Sequence, residues 1–119
     1  LLGVVMLYLD YRAPVGAIRE RLAEILSGTE LWDGKVSVVQ VTDARERVME
    51  VRILASARSS GEAFDLRCLV REKMIGWLRE AHPEALPHTR LQLSPVESLS
   101  KGRDRVEQED RLVRAQAEA

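Results

Sequence analysis

The order of the predicted elements indicates an α+β domain of the ferredoxin-like type, a split βαβ (β-α-β-β-α-β) in which two helices cover one face of an antiparallel sheet. Two observations carry this prediction. Apolar residues recur at helical spacing over residues 14–27 and 59–81. Segments with strand-like composition or alternation lie before, between and after them, at residues 4–11, 36–42, 48–57 and 89–93. We expect residues 1–93 to form this domain and residues 94–119 to be a charged tail, disordered or partly helical.

The first strand is predicted at residues 4–11 because Val4, Val5 and Tyr8 favour extended structure. This strand is apolar on both faces, whereas a two-layer domain covers only one face of its sheet. We therefore expect Val4, Met6 and Tyr8 to contact a neighbouring chain, with the alternative that a region upstream of residue 1 covers them.

Local signals mark the ends of the elements that follow. Pro14 suits the first position of a helix, where its missing N–H costs nothing. The dipeptide Asp33-Gly34 predicts a turn before the second strand. Residues 43–46 connect the second and third strands, and we expect this connection to be too long for a two-residue turn. The third strand alternates, with its apolar side formed by Met49, Val51, Ile53, Ala55 and Ala57.

The second helix begins with a capping-box pattern, Ser59 followed three residues later by Glu62. Pro83 ends it. Its predicted apolar stripe consists of Leu66, Leu69, Val70, Met74, Trp77 and Leu78. A short last strand follows at residues 89–93, with Leu91 and Leu93 on one face.

The composition is that of a folded domain without disulfides. The chain has 119 residues, of which 45% are hydrophobic and 31% charged, too apolar for a wholly disordered chain. Eighteen Lys and Arg oppose 19 Asp and Glu, for a net charge of −1. This balance argues against a dedicated nucleic-acid binder, which carries a clear basic excess. The longest apolar run is far shorter than the roughly 18 residues of a transmembrane helix, so the sequence predicts no membrane span.

Residues that could carry chemistry are few. Cys68, the single cysteine, excludes an intramolecular disulfide and a multi-cysteine metal site. It could act as a nucleophile or redox thiol, but no histidine is clearly paired with it, and a packing role is the simpler interpretation. His82 and His88 with Glu84 could hold a metal only from an irregularly spaced loop. We therefore predict no catalytic, cofactor or metal site and no enzymatic activity.

Four sequence blocks in order carry a family resemblance. They are LGVVMLYLDY at 2–11 with Pro14 after it, LWDGKV at 31–36 with VQVTDA at 39–44, FDLRCLVREK at 64–73, and HPEALP at 82–87. Together they resemble the C-terminal cytoplasmic region of the small-conductance mechanosensitive ion channel (MscS) family, over about residues 2 to 93. The chain lacks an initiator Met and opens at a strand, so we expect it to be a fragment of a longer protein.

The resemblance implies a homo-heptameric channel on the inner (plasma) membrane of a bacterium. Membrane tension opens such a channel, which releases ions and small osmolytes on hypo-osmotic shock. This chain would form part of the cage on the cytoplasmic side, and only absent upstream helices would contact the membrane. In the family the last strand can join its equivalents from other subunits in a barrel. Residues 89–93 match its position, so Leu91 and Leu93 are interface candidates.

Several alternatives stay open. Residues 89–93 could instead close the sheet of their own domain. By itself the fragment is expected to be monomeric or weakly associated, because the pore helices that gather the subunits are absent. A small-molecule-binding regulatory module on the same fold is the main alternative function. A thiol enzyme using Cys68 is a further one.

Overall fold

The computed structural model describes residues 1–87 and residue 113. Its elements confirm the α+β class, with two helices and a three-stranded antiparallel sheet. They are β1 (Leu2–Leu9), α1 (Val15–Ser27), β2 (Ser37–Ala44), β3 (Met49–Ser56), α2 (Ser60–Ala81) and a 3₁₀ turn (Pro83–Ala85). The predicted last strand at residues 89–93 lies outside the described residues. So does the predicted tail at residues 94–119, apart from Val113, which is helical and exposed.

The sheet has the order β1-β3-β2, with β3 antiparallel to both neighbours. Ile53 at its centre pairs with Val5 of β1 and Val39 of β2. Because side chains alternate along a strand, this register directs the odd-numbered residues of β1 and β3 towards the helices. The even-numbered residues form the outer face of the sheet, which no described helix covers.

The core lies between the sheet and the two helices. Its most buried side chains come from all layers, and each large aliphatic one contributes about 1.5 to 3 kcal/mol through removal of its surface from water. They include Val5, Ile18, Leu22, Leu26, Val51, Ile53, Leu66, Val70, Met74 and Leu78. The apolar stripe predicted for α2 is therefore confirmed at Leu66, Val70, Met74 and Leu78, whereas Leu69 and Trp77 are half-buried at its flanks.

The close crossing of α2 over β1 depends on Gly3. A Cβ atom at this position would lie 2.9 Å from Cγ of Arg67 and 3.2 Å from the carbonyl oxygen of Ala63. It would also lie 3.4 Å from the carbonyl oxygen of Ala55 on β3. Glycine therefore lets the backbone of β1 approach both the helix and the neighbouring strand.

Two predicted boundaries are wrong by a few residues. The first strand ends at Leu9 rather than at Tyr11, because the N–H of Asp10 donates to the carbonyl of Ala85 at 2.8 Å and the N–H of Ala13 donates to Asp10 at 2.9 Å. The chain therefore turns away from the sheet at Asp10. The β2–β3 connection comprises residues 45–48 instead of 43–46, with the predicted length of more than two residues, and the N–H of Arg45 donates to the carbonyl of Val48 across it at 2.9 Å. Only residues 46 and 47 lie beyond this last backbone hydrogen bond.

The predicted start of α2 and the turn before β2 are confirmed. The Ser59 side chain accepts a hydrogen bond from the N–H of Glu62 at 3.2 Å, as an N-cap should. Gly34 has φ +83, which suits glycine. Beside it, the Asp33 carboxylate accepts from the hydroxyl of Ser56 and from the N–H of Lys35. Both hydrogen bonds lower the pKa of Asp33, and the bond from Ser56 has the larger effect. The bond from Ser56 also ties the turn to the end of β3.

Candidate interface on the sheet

Three cross-strand rows form most of the outer face of the sheet, and Leu2, which pairs with Ser56, extends the face beyond the first row. The first row is apolar and joins Val4, Leu54 and Val38; the second joins Met6, Arg52 and Gln40; the third joins Tyr8, Glu50 and Asp43. The rows follow from alternation along each strand and from the pairing register. The face therefore changes from apolar to charged along the strands.

The apolar end of this face is open to solvent. Leu2 is 53% exposed and Val4 is 38% exposed, while Leu54 and Val38 beside them are half-buried. Four large aliphatic side chains on one uncovered sheet face form the kind of patch that proteins use for association. We call Leu2, Val4, Val38 and Leu54 the apolar patch.

The charged end of the face is held together by Arg45 from the β2–β3 turn. Its guanidinium lies 3.4 Å from a carboxylate oxygen of Asp43, 3.1 Å from one of Glu50, and 5.1 Å from the centre of the Tyr8 ring. The hydrogen bond to Asp43 and the charge of Glu50 raise the pKa of Arg45. The hydroxyl of Tyr11 donates to the Arg45 carbonyl. Arg45 thus connects the β2–β3 turn to Tyr8 of β1 and to Tyr11.

The three β1 residues predicted for the interface therefore have different surroundings. Val4 belongs to the apolar patch. Met6 is half-buried beside Arg52, whose Nη2 donates to Oε1 of Gln40 at 2.6 Å. Tyr8 is 43% exposed but contacts Arg45 within its own domain. The other two predicted interface residues, Leu91 and Leu93, lie outside the described residues.

Sequence reasoning missed three members of the apolar patch. The predicted strand starts at residue 4 and so excludes Leu2, whereas β1 begins at Leu2. Leu54 and Val38 face outwards because of the register, which brings both beside Val4. The available signal was Leu54 itself, an apolar residue on the polar side of a strand that otherwise alternates.

The second feature of this region is a groove at the free edge of β1. It has a volume of about 240 Å³ and is lined by Leu1, Leu2, Val4, Ser60, Ala63, Phe64 and Arg67. Phe64 on α2 is 56% exposed, and the Arg67 guanidinium lies 5.3 Å from its ring centre. The groove therefore has an exposed aromatic side chain on the helix side and the edge of a strand on the other.

The candidate chemical residues lie elsewhere and apart from one another. Cys68 is half-buried on α2. Nδ1 of His82 lies 3.2 Å from Oε1 of Glu84, and the His82 ring packs edge-on against Trp77 at 4.8 Å. The pKa of the Glu84 carboxyl is lowered mainly by a hydrogen bond from its own backbone N–H, and to a smaller extent by its hydrogen bond with His82. Within residues 1–87, no three histidine, cysteine or acidic side chains gather as a metal site would require. His88 lies outside the described residues.

Among the described residues, no helix is both long enough and apolar enough to cross a membrane.

Comparisons with known proteins give a likeness of fold. No protein-family model matches the chain, and no curated protein matches it in sequence. Among solved structures, the crystal structure of Helicobacter pylori MscS in its closed state superposes with a TM-score of 0.60 at 14% sequence identity. The match covers 79% of this chain and 38% of that one, so the chain spans well under half the length of that protein. At this identity the likeness concerns the fold, and the chain has an MscS-like fold.

Proposed function

We propose that this chain is part of the cytoplasmic region of a mechanosensitive channel of the MscS family. The superposition on the H. pylori channel carries the proposal, and the four sequence blocks that resemble the same family support it. The chain would lie below the pore on the cytoplasmic side of the inner membrane, in a homo-heptamer.

The outer face of the sheet suits a role in assembly. No described helix covers its apolar patch, and the charged row at the opposite end of the face is fixed in place by Arg45. Association of subunits would remove Leu2, Val4 and Leu54 from water, at about 25 cal/mol for each Å² of apolar surface. Met6 and the exposed part of Tyr8 would lie at the border of this contact. Leu91 and Leu93 complete the proposed interface.

In this role the domain has no reaction to perform. It would assemble with its copies into a wall that ions and small osmolytes pass on their way to the pore. The near balance of 18 basic and 19 acidic residues gives this wall little net charge. Scattered charges of both signs keep such a surface soluble without a strong field of one sign.

The proposal is tested by expressing the full-length protein that contains this chain in bacteria without mechanosensitive channels. Survival of a sudden drop in osmolarity is then measured against expression level. We expect rescue. A full-length sequence without hydrophobic helices before Leu1, or no rescue at any level of protein in the membrane, would contradict the proposal.

Single substitutions in the same assay connect the channel role with the apolar patch. Val4→Asp and Leu54→Asp place charge in the patch and should reduce rescue. Val41→Asp, at a position that is 46% exposed outside the patch, serves as the matched control. Equal rescue by all three variants would mean that the patch is not needed in the channel.

A further inference from the structure

The 3₁₀ turn at Pro83–Ala85 joins the end of α2 to the end of β1. The N–H of Asp10 donates to the carbonyl of Ala85 at 2.8 Å, and the N–H of Ala85 donates to the carbonyl of His82 at 2.9 Å. Ala85 is fully buried, and Leu86 packs against the core. The turn therefore closes one end of the core, and these two hydrogen bonds help to hold it there.

His82 lies at the junction of α2 and this turn, where three contacts fix its position. Its N–H donates to the carbonyl of Leu78 at 2.9 Å, so His82 caps the C-terminus of α2. Its ring packs edge-on against Trp77, with ring centres 4.8 Å apart, and its Nδ1 lies 3.2 Å from Oε1 of Glu84 in the turn. The side chains of His82 and Glu84 are 29% and 40% exposed, so both can exchange protons with water.

A proton on the imidazole strengthens two of these interactions together. Histidine is the side chain that ordinarily gains its charge between pH 8 and pH 5. A charged ring donates from Nδ1 whatever the tautomer of the neutral ring, so the contact with Glu84 becomes an ion pair. The last carbonyl groups of α2 carry partial negative charge, which also favours a cation at His82. Protonation therefore tightens the link between α2 and the turn.

Charged groups from two neighbouring elements surround the pair. After its own backbone N–H and the histidine, Arg12 in the connection between β1 and α1 further lowers the pKa of the Glu84 carboxyl. Arg12 also lies 3.5 Å from the buried carboxylate of Asp10. In the last turn of α2, the exposed Arg79 and Glu80 carry opposite charges. These four neighbours balance one another, which leaves Glu84 as the unbalanced charge beside the histidine.

We propose that His82 and Glu84 form a pH-dependent latch, which holds the 3₁₀ turn against β1 more firmly when His82 is protonated. The latch opens more readily as the pH rises, because the ion pair and the favourable charge at the end of α2 are lost with the same proton. Because the pKa of Glu84 is lowered from its ordinary value of 4.5, this carboxylate is still charged at the pH at which a histidine gains its proton. The latch is a property of the domain and does not depend on the proposed channel role.

Amide hydrogen exchange of the whole 119-residue chain, measured by NMR at about pH 5.5 and about pH 7.5, tests the latch on both sides of an ordinary histidine titration. Dividing the exchange rate of an unfolded chain at the same pH by the measured rate gives a protection factor, which removes the intrinsic effect of pH. The amides of Asp10 and Ala85 report the latch. The amides of the central strand β3 report global unfolding.

Three variants separate the groups that could cause a pH response. His82→Gln removes the titrating ring, and Glu84→Gln removes the charge of its partner. His88→Gln, at the only other histidine of the sequence, is the matched control. Glu84 is exposed enough for Glu84→Gln to keep the fold, so this variant tests the latch even if His82→Gln weakens α2. Circular dichroism checks the fold of each variant.

We expect the protection of the Asp10 and Ala85 amides, relative to that of β3, to be about two- to fivefold higher at the lower pH, the range for a charge at the end of a helix. The difference should vanish in His82→Gln, shrink in Glu84→Gln and persist in His88→Gln. Such a pattern would assign the response to the His82–Glu84 pair.

Three results would overturn the proposal. The first is equal relative protection at the two pH values in the unchanged chain, which means that the turn does not respond to protonation. The second is a response that survives His82→Gln or disappears in His88→Gln, which means that another group titrates. The third is an undiminished response in Glu84→Gln, which means that the ion pair does not close the latch. None of these results depends on channel activity, so the proposed function is tested separately by the shock assay.

Discussion

Replacing Gly3 by alanine tests the packing that places β1, the groove and the apolar patch. Two effects oppose each other. Alanine in a strand interior is favoured over glycine by about 0.5 to 1 kcal/mol, because it loses less backbone freedom on folding. The new methyl group, however, lies 2.9 Å from Cγ of Arg67 and 3.2 Å from the Ala63 carbonyl oxygen.

The cost of these close contacts decides whether Gly3→Ala stabilises or destabilises the domain. The Arg67 side chain can move away, but the carbonyl oxygens of Ala63 and Ala55 belong to the backbone of α2 and β3. Such overpacking costs about 1 to 3 kcal/mol. We therefore expect Gly3→Ala to lower the free energy of unfolding by about 1 kcal/mol net, a decrease in Tm of roughly 4 to 8 °C for a domain of this size.

The assay is urea and thermal unfolding, followed by circular dichroism, with Gly76→Ala as the matched control. Gly76 lies within α2, and a Cβ there meets no atom within 4 Å. That control should stabilise the domain by up to about 1 kcal/mol, the difference in helix propensity between the two residues. A Gly3→Ala variant as stable as the unchanged chain would refute the close approach of α2 to β1.

Three further changes probe other parts of the domain. Ile53→Ala, in the centre of the sheet and fully buried, should lower the free energy of unfolding by about 2 to 5 kcal/mol in urea titrations, whereas the exposed Val41→Ala should change it by less than about 0.5 kcal/mol. Arg45→Met, which keeps the aliphatic stem, should lower the stability of the domain slightly, and this loss should shrink in high salt; a loss independent of salt would contradict the ionic contacts with Asp43 and Glu50. Because the pKa of Asp33 is lowered from its ordinary value of 3.8, its contribution to stability is present above that value and is lost as the pH falls through the lowered pKa; Asp33→Asn should reduce this acid sensitivity, and an unchanged pH profile of unfolding would exclude the role of its bond to Ser56.

The sequence was sufficient where a feature depends on local periodicity. Alternation from Met49 to Ala57 predicted which side of β3 is buried, and helical spacing predicted the core stripe of α2. The Ser59 cap follows from two residues three positions apart. These features could be predicted because the neighbours that determine them are close in the chain.

Features that join distant segments could not be predicted. The contact between Tyr8 and Arg45 links residues 37 positions apart and depends on the register between β1 and β3. The need for glycine at position 3 depends on where α2 crosses β1. The apolar patch was predicted only at Val4, because Leu54 and Val38 join it through pairing that no short pattern specifies.

The most direct test of the central claim is the current through membrane patches that contain the full-length protein. Pressure steps applied to excised patches stretch the membrane while the current is recorded. The account predicts channels that open as tension rises and close when it is released. Patches that hold the protein, shown by antibody labelling, yet pass no tension-dependent current up to rupture would contradict it.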